Sequence, residues 1–228
     1  MKLTLKETRP EVENVITFVF ESVEPVDWQP GQYMHYVFPH PSEDDRGEER
    51  WFTISAPPYE KNITITTRFT DEKGSSFKKA LKNLKPGDSI EADGPKGKFV
   101  IEDFSKKYVL VAGGIGVTPY HSMLLQFDHD GKMPDIELLY ANRDENFVFL
   151  DKFEALTAKY PNLSIKKFVG DRRIEEDDLK PYADDQSKII YLSGPEPMIE
   201  NFETQLQDMG VPEDRLKTDF FPGYPAEL

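Results

Sequence analysis

This sequence predicts a two-domain β + α/β protein, and three observations carry that prediction. Its first hundred residues break into short segments rich in β-branched and aromatic residues, separated by turn signals. From about Phe104, apolar runs alternate with helix-length stretches. No internal repeat relates the two halves.

In the first half the candidate strands are ENVITFVFES, QYMHYVF, RWFTIS, NITITTRF and DSIEADG, with Pro-Gly or Gly-Pro at the joints. Such spacing marks an antiparallel barrel or sandwich. One helix interrupts it: in SSFKKALKNLKPGD, Phe77, Leu81 and Leu84 recur at i, i+4 and i+7, Ser75 or Ser76 caps the start, and Pro86-Gly87 ends it. PHPSEDDRGEER, residues 39–50, reads as a mobile acidic loop leading into RWFTIS. In an extended strand Arg50, Phe52 and Ile54 share one face, while Trp51, Thr53 and Ser55 share the other. A local twist between Phe52 and Thr53 is therefore expected if both are to serve one ligand.

In the second half KYVLVAGG opens onto the helix PYHSMLLQF, IELLYANR precedes LDKFEALTAKY, LSIKKFVG stands alone, and KIIYLSGP leads into EPMIENFETQLQDMG. Apolar runs without alternation suit strands buried on both faces of a parallel sheet. The polar stretch EDFSKK at 102–107 marks the boundary, giving domains of residues 1–103 and 104–228.

A formal net charge of -14 argues against a general nucleic-acid binder, because a polyanion needs a basic footprint. With no cysteine among the 228 residues there is no disulfide and no thiolate-held zinc or iron–sulfur cluster. No apolar run approaches the ~20 residues that span a bilayer, and a cytoplasmic monomer is expected. His35, His40, His121 and His129 lack metal-ligand spacing, so no metal is expected. The acidic runs at 175–178 and 184–185 read as solvated faces or helix-start charges.

The sharpest motif is VAGGIGVTP. A strand runs into Gly113, Gly114 and Gly116, where missing side chains let backbone N–H groups approach a ligand, and Thr118-Pro119 then begins a helix. A helix start offered this way attracts the diphosphate of a dinucleotide. Pro119 stands where the third glycine of GxGxxG would be, and the same glycines also suit a tight turn needing them for geometry alone. YLSGPEPM ends what reads as the last strand of the sheet. Ligands of open α/β sheets bind beyond the carboxyl ends of strands, so Ser193, Gly194 and Pro195 are expected on one rim with Gly114 and Gly116, or else merely end a strand. RWFTIS adds an arginine fork suited to phosphate oxygens and an aromatic ring suited to a planar heterocycle.

Six motifs stand in order along essentially the whole chain: PGQY at 30–33, RWFTIS at 50–55, GSSF at 74–77, GPKGKF at 94–99, GGIGVTP at 113–119 and SGPEPM at 193–198. In this order and separation the chain resembles the ferredoxin-NADP reductase-like flavoproteins. The resemblance implies an antiparallel Greek-key β-barrel that binds FAD, followed by a parallel-sheet nucleotide-binding α/β domain for NADPH or NADH, with a C-terminal tail returning towards the flavin.

Residue by residue, it implies Arg50 on the flavin diphosphate, Phe52 on the ring and Thr53 near the flavin N5. Ser75, Ser76 and the helix they cap would complete the diphosphate site, and Trp51, Thr66, Thr67, Arg68 and Gly74 join the cofactor-binding set. Gly114, Gly116 and Thr118 would contact the nicotinamide nucleotide, with Arg143 and Arg172 in the same role, while Gly194 and Pro195 border the nicotinamide pocket. Thr53 and Ser193 are the catalytic candidates. Three departures from the family pattern stand out. Many members carry cysteine where this chain has Ser193. DFFPGYPAEL replaces a terminal tyrosine, so Phe220, Phe221 or Tyr224 covers the ring or packs on the sheet. FVGDRR at 168–173 lies where NADP-specific members place Ser-Arg; Arg172 or Arg173 would serve a 2′-phosphate, which Asp171 would repel.

The implied activity is that of an FAD-dependent oxidoreductase, taking hydride from NADH or NADPH and passing electrons to a separate acceptor such as ferredoxin or flavodoxin. Lys73, Lys78, Lys79, Lys82, Lys85, Lys96 and Lys98 form either a docking patch for an acidic partner of that kind or a solvated face. Two other readings stay open: an NAD(P)H:flavin reductase that releases its flavin, and a non-catalytic nucleotide-binding regulatory module.

Overall fold

The computed structural model describes residues 1–70 and 74–221, the side chains of Phe220 and Phe221 excepted; Lys73 and Tyr224 lie outside the described residues. The chain divides into two compact units, Met1–Val100 with His121–Gln126, and Ile101–Tyr120 with Phe127–Leu228.

The first unit is built on six antiparallel strands: β1 (Lys2–Val12), β2 (Val15–Ser22), β3 (Tyr33–Val37), β4 (Glu49–Thr53), β5 (Ile63–Arg68) and β6 (Ser89–Lys96). Their order is β4-β3-β6-β1-β2-β5: the β1–β2 and β3–β4 pairs are neighbours in sequence and in space, and β6 returns between them in Greek-key fashion. The sheet curls on itself. Just past β4, the Ser55 amide donates to the Thr64 carbonyl of β5 at 3.1 Å, which ties the two edge strands together. Alternate residues of each strand turn inward, and Leu3, Phe18, Tyr36, Ile54 and Ile65 fill the interior with no exposed surface. Helix α1 (Ser76–Asn83) seals one end by burying Phe77 and Leu81. Its cap is Ser75, whose Oγ accepts the Lys78 amide at 3.2 Å.

In the second unit five parallel strands alternate with helices: β7 (Lys107–Gly113), α2 (Thr118–His129), β8 (Asp135–Asn142), α3 (Leu150–Lys159), β9 (Leu163–Val169), α4 (Glu176–Asp184), β10 (Lys188–Pro195), α5 (Glu196–Asp208) and β11 (Leu216–Phe221). The order β11-β10-β7-β8-β9 places β7 at the centre, and its residues are buried from Tyr108 onward, as its unbroken apolar run requires. The winding runs outward one way through β8 and β9, then the other through β10 and β11. The switch point therefore lies between β7 and β10.

Three elements correct the sequence reading. KIIYLSGP is not the last strand, because β11 follows α5 and pairs with β10, Phe220 opposite Gly194 and Phe221 opposite Pro195. The acidic run at 175–178 opens a real helix, α4, hidden by the helix breaker Pro181 inside it. The ladder of β3 with β4 is unbroken from Glu49 to Thr53, so no irregularity separates Phe52 from Thr53. The chain instead changes partner one step later: the Ile54 amide still bonds the Gln32 carbonyl at 2.9 Å, and Ser55 has moved over to β5.

Candidate functional site

In the first unit the candidate residues cluster around β4, β5 and the start of α1. Strand alternation puts Arg50 and Phe52 on the inner face. There the Arg50 guanidinium lies 5.4 Å from the Phe77 ring centroid, and Phe52 packs against Tyr36 and Phe77 at 5.8 and 5.9 Å. Trp51 points the other way, half exposed, stacked on His35 at 4.6 Å. Thr53 is buried, yet its hydroxyl has no hydrogen-bond partner among the described residues. A buried donor left unpaired costs stability, so this hydroxyl is suited to a ligand atom.

Its neighbours differ. Ser55 Oγ meets Thr64 Oγ1 and Thr66 Oγ1 at 2.7 Å each, and Thr66 Oγ1 meets Thr17 Oγ1 at 2.8 Å. That network holds the edge strands together and commits the Thr66 hydroxyl to it. Thr67 and Arg68 are buried in β5, and the Arg68 carbonyl accepts Lys78 Nζ at 3.0 Å. Gly74 stands just before the cap, where a Cβ would lie 2.7 Å from the Thr70 carbonyl oxygen.

A residue that sequence reasoning missed completes this cluster. Asp44, from the acidic loop, accepts the Ser76 amide through Oδ2 at 2.8 Å, and its own amide donates to Ser76 Oγ at 3.0 Å. Arg46 forks onto the same carboxylate through Nη2 at 2.6 Å and Nε at 3.2 Å. This guanidinium, with the Ser76 amide, holds the Asp44 carboxyl well below the usual carboxylate range. The loop is thus ordered around one anion. A DxR pair facing a helix cap 32 residues later has no local signature that would have revealed it.

In the second unit the two glycine turns meet at the switch point. A Cβ on Gly116 would stand 2.3 Å from the Ser193 carbonyl oxygen and 2.6 Å from Gly194 Cα, so this close backbone approach demands glycine. Gly114 takes a left-handed φ of +52° with only Asn142 Oδ1 near its open side, at 3.8 Å. Thr118 folds its hydroxyl back onto the Ile115 carbonyl at 3.1 Å, closing the turn into α2. Ser193 is fully buried with its Oγ unpaired among the described residues, and Gly194 and Pro195 beside it are buried too. Tyr120, another residue the sequence did not flag, ties β7 to β10 by donating to the carbonyls of Val111 and Tyr191 at 3.2 and 2.9 Å.

The arginines expected near a nucleotide are already engaged. Exposed Arg143 lies 3.5 Å from Asp144, and Arg172 forks onto Asp178 of α4. Backbone pairing sets Phe220 and Phe221 beside Gly194 and Pro195. Among the described residues no cluster of His, Cys, Asp or Glu could hold a metal ion, and no helix is long and apolar enough to cross a membrane.

A curled antiparallel sheet with an anion-holding helix cap is thus followed along the chain by a doubly wound parallel sheet with paired glycine turns at its switch point. Residues 110–204 match the oxidoreductase NAD-binding domain family. The chain is 26% identical to the stachydrine N-demethylase reductase subunit of Rhizobium meliloti, over 95% of this chain and 65% of that one. It is 28% identical to the toluate 1,2-dioxygenase electron transfer component of Pseudomonas putida, over 80% of this chain and 55% of that one. It thus spans a little over half the length of such relatives. The FAD/NAD-binding domain of nitric oxide dioxygenase from Vibrio cholerae shares the fold with a TM-score of 0.79 at 21% identity, covering 96% of this chain and 98% of that one. The ferredoxin-NADP+ reductase of Plasmodium falciparum does so with a TM-score of 0.80 at 16% identity, covering 96% and 95%. Along the whole chain the fold is that of these FAD/NAD-binding and ferredoxin-NADP+ reductase structures, and the sequence match to the oxidoreductase NAD-binding domain family lies within the second unit.

Proposed function

We propose that this chain is the NAD(P)H-dependent flavoprotein reductase unit of an electron-transfer system. The observation that carries the reading is the Thr53 hydroxyl, buried and unpaired among the described residues at the end of a strand that also bears Arg50 and Phe52. A flavin bound there would supply the two-electron to one-electron chemistry. Thr53 would donate to or accept from the ring edge, Phe52 would bound the ring, and Arg50 with the capped start of α1 would hold the phosphates. In the second unit Gly114, Gly116 and Thr118 would seat the nicotinamide nucleotide diphosphate, with Gly194 and Pro195 beside the nicotinamide and Ser193 holding its hydroxyl near the reacting face. Positioning and exclusion of water are the protein's share of such a reaction.

With no cysteine in these residues to hold a cluster, the electrons would pass to a carrier outside them, a small redox protein of the ferredoxin or flavodoxin kind. Electron-transfer components among the relatives support that outlet. Of the lysines that could dock it, Lys79, Lys82, Lys85 and Lys98 are exposed, whereas Lys96 is paired with Asp93 at 2.6 Å. A second reading, a reductase that releases its flavin, draws on the anion that already fills the start of α1. Anaerobic titration of FAD-loaded protein with NADH and with NADPH tests the proposal: the yellow absorbance should bleach with at least one nucleotide. Bound flavin that neither nucleotide bleaches would instead favour a non-catalytic module.

A further inference from the structure

The loop between β3 and β4 carries Glu43, Asp44, Asp45 and Glu48, with Glu49 opening β4, and such a charge run ordinarily lies solvated and loose. Here it is organised inward. The Asp44 carboxylate receives the Ser76 amide at the first residue of α1 and the Arg46 guanidinium, an amide and a cationic fork on one oxygen, Oδ2, while Oδ1 accepts the Arg46 amide at 3.1 Å. His40 supports the same point, its Nε2 2.8 Å from Ser76 Oγ and its Nδ1 2.6 Å from the Phe38 carbonyl oxygen. Arg50 is wrapped by the loop as well, Nη1 donating to the carbonyls of Arg46 at 2.7 Å and Gly47 at 3.3 Å. The groups assigned above to a flavin phosphate are therefore those the acidic loop holds.

The contact is built to be reversible. A cavity of about 670 Å³ runs between the loop and α1, lined by His40, Ser42, Asp44, Ser76, Lys79 and Asn83 among others. At Asp44 loop and helix thus meet through a polar bridge beside open space, while the base of the loop stays anchored where the Phe38 and His40 rings pack edge-on against Phe77 at 6.0 and 6.1 Å. Withdrawing Asp44 would break hydrogen bonds that water or a phosphate can replace, and would uncover none of the fully buried core at Phe77 or Leu81.

We propose that Asp44 is an internal stand-in for the flavin phosphate: a flavin engages the start of α1 only as the carboxylate leaves it, so the loop lowers flavin affinity and selects among flavins by their phosphates. This rests on the flavin reading given above. Once Asp44 has moved, Arg46 and the Ser76 amide are the donors that a phosphate inherits. Riboflavin, lacking phosphate, would bind without displacing anything.

The test is fluorescence titration of the flavin-free full chain with FAD, FMN and riboflavin, for the wild type, Asp44→Asn and Asp44→Ala. Removing the carboxylate charge should tighten FAD and FMN about tenfold, the scale of one charge-assisted hydrogen bond released, and leave riboflavin affinity unchanged. Inorganic pyrophosphate should compete with FAD, and more strongly in the variants. A wild type that binds FAD while both variants, folded by circular dichroism, bind it equally or more weakly would overturn the role of Asp44 alone. If neither wild type nor variants bind any flavin, the flavin reading falls and takes this proposal with it.

Discussion

Arg172 presents both terminal nitrogens to Asp178, Nη1 to Oδ2 and Nη2 to Oδ1 at 2.8 Å each, and Lys166 joins the same carboxylate at 2.9 Å. The carboxylate is nearly buried in the first turn of α4, so this is a fixed fork and not a passing surface contact. To reach a ribose 2′-phosphate Arg172 would have to abandon it, in a turn where Asp171 repels a dianion. NADH is therefore expected to exceed NADPH in kcat/KM by about tenfold or more, the worth of ~1.4 kcal/mol. Asp178→Asn should narrow that ratio by loosening the arginine. Equal use of the two nucleotides by the wild type would refute the assignment.

Thr53→Val tests the unpaired hydroxyl from two sides. Removing a buried donor that no described residue satisfies should leave stability unchanged or raise it by about 1 kcal/mol, the reverse of an ordinary core polar substitution. If the hydroxyl meets the flavin edge, nucleotide-driven flavin reduction should at the same time slow by about tenfold to a hundredfold. Stopped-flow reduction and chemical denaturation on one preparation would separate these effects. Destabilisation by 2 kcal/mol or so would mean that the hydroxyl already has a structural partner.

What the sequence disclosed and what it hid divide along one physical line. The cap at Ser75, the buried run of β7 and the glycine turns at 113–116 and 194 were legible, because each is a local pattern whose cause lies within a few residues. β1 was missed because only Leu3 and Leu5 alternate before it turns polar; its pairing with β2 sustains it. α4 was masked by Pro181, and β11 by a short polar start, LKTD, that only its ladder with β10 makes a strand. Asp44 is hidden in a stretch that reads as a mobile acidic loop, because its partner is an amide far along the chain and capping at that distance has no sequence period.

The close approach at the switch point makes a sharp pair of substitutions. Gly116→Ala would drive a Cβ to 2.3 Å from the Ser193 carbonyl oxygen and 2.6 Å from Gly194 Cα, and both partners are backbone, so the turn after β7 must move away from β10. A loss of about 3 kcal/mol or more is expected, as for overpacking in a rigid core. Gly131→Ala has nothing within 4 Å, so it meets only the strain of its φ of +66°, about 1 kcal/mol. Urea unfolding of the two variants should therefore rank them clearly apart. Similar losses would show that the turn relaxes more freely than its geometry allows.

Asp219 sets a pH dependence of unusual sign. It stands in β11 in register with Ser193, and burial raises its carboxyl to about 7. Tyr120, whose phenol it faces electrostatically, is itself pushed well above its ordinary range and stays neutral. Between about pH 4, where an unfolded aspartate ionises, and about 7, the folded chain keeps a proton that the unfolded chain has released. Stability should therefore fall as pH rises across that window, then level off. Asp178 acts oppositely: Arg172 first, and Lys166 after it, hold its carboxyl low, and that contribution is lost only as pH drops below about 4. The two together place maximum stability on the acid side of neutrality. The surface charge of -14 biases the profile the same way, since self-repulsion eases as carboxylates protonate. Asp219→Asn separates the causes, because it keeps the surface charge and removes the buried titration. Its thermal midpoint should exceed the wild type's at pH 8 and match it near pH 4.5, with most of the slope between gone. A wild-type midpoint that rises steadily from pH 5 to 8 would show that Asp219 is ionised at little cost in the folded chain.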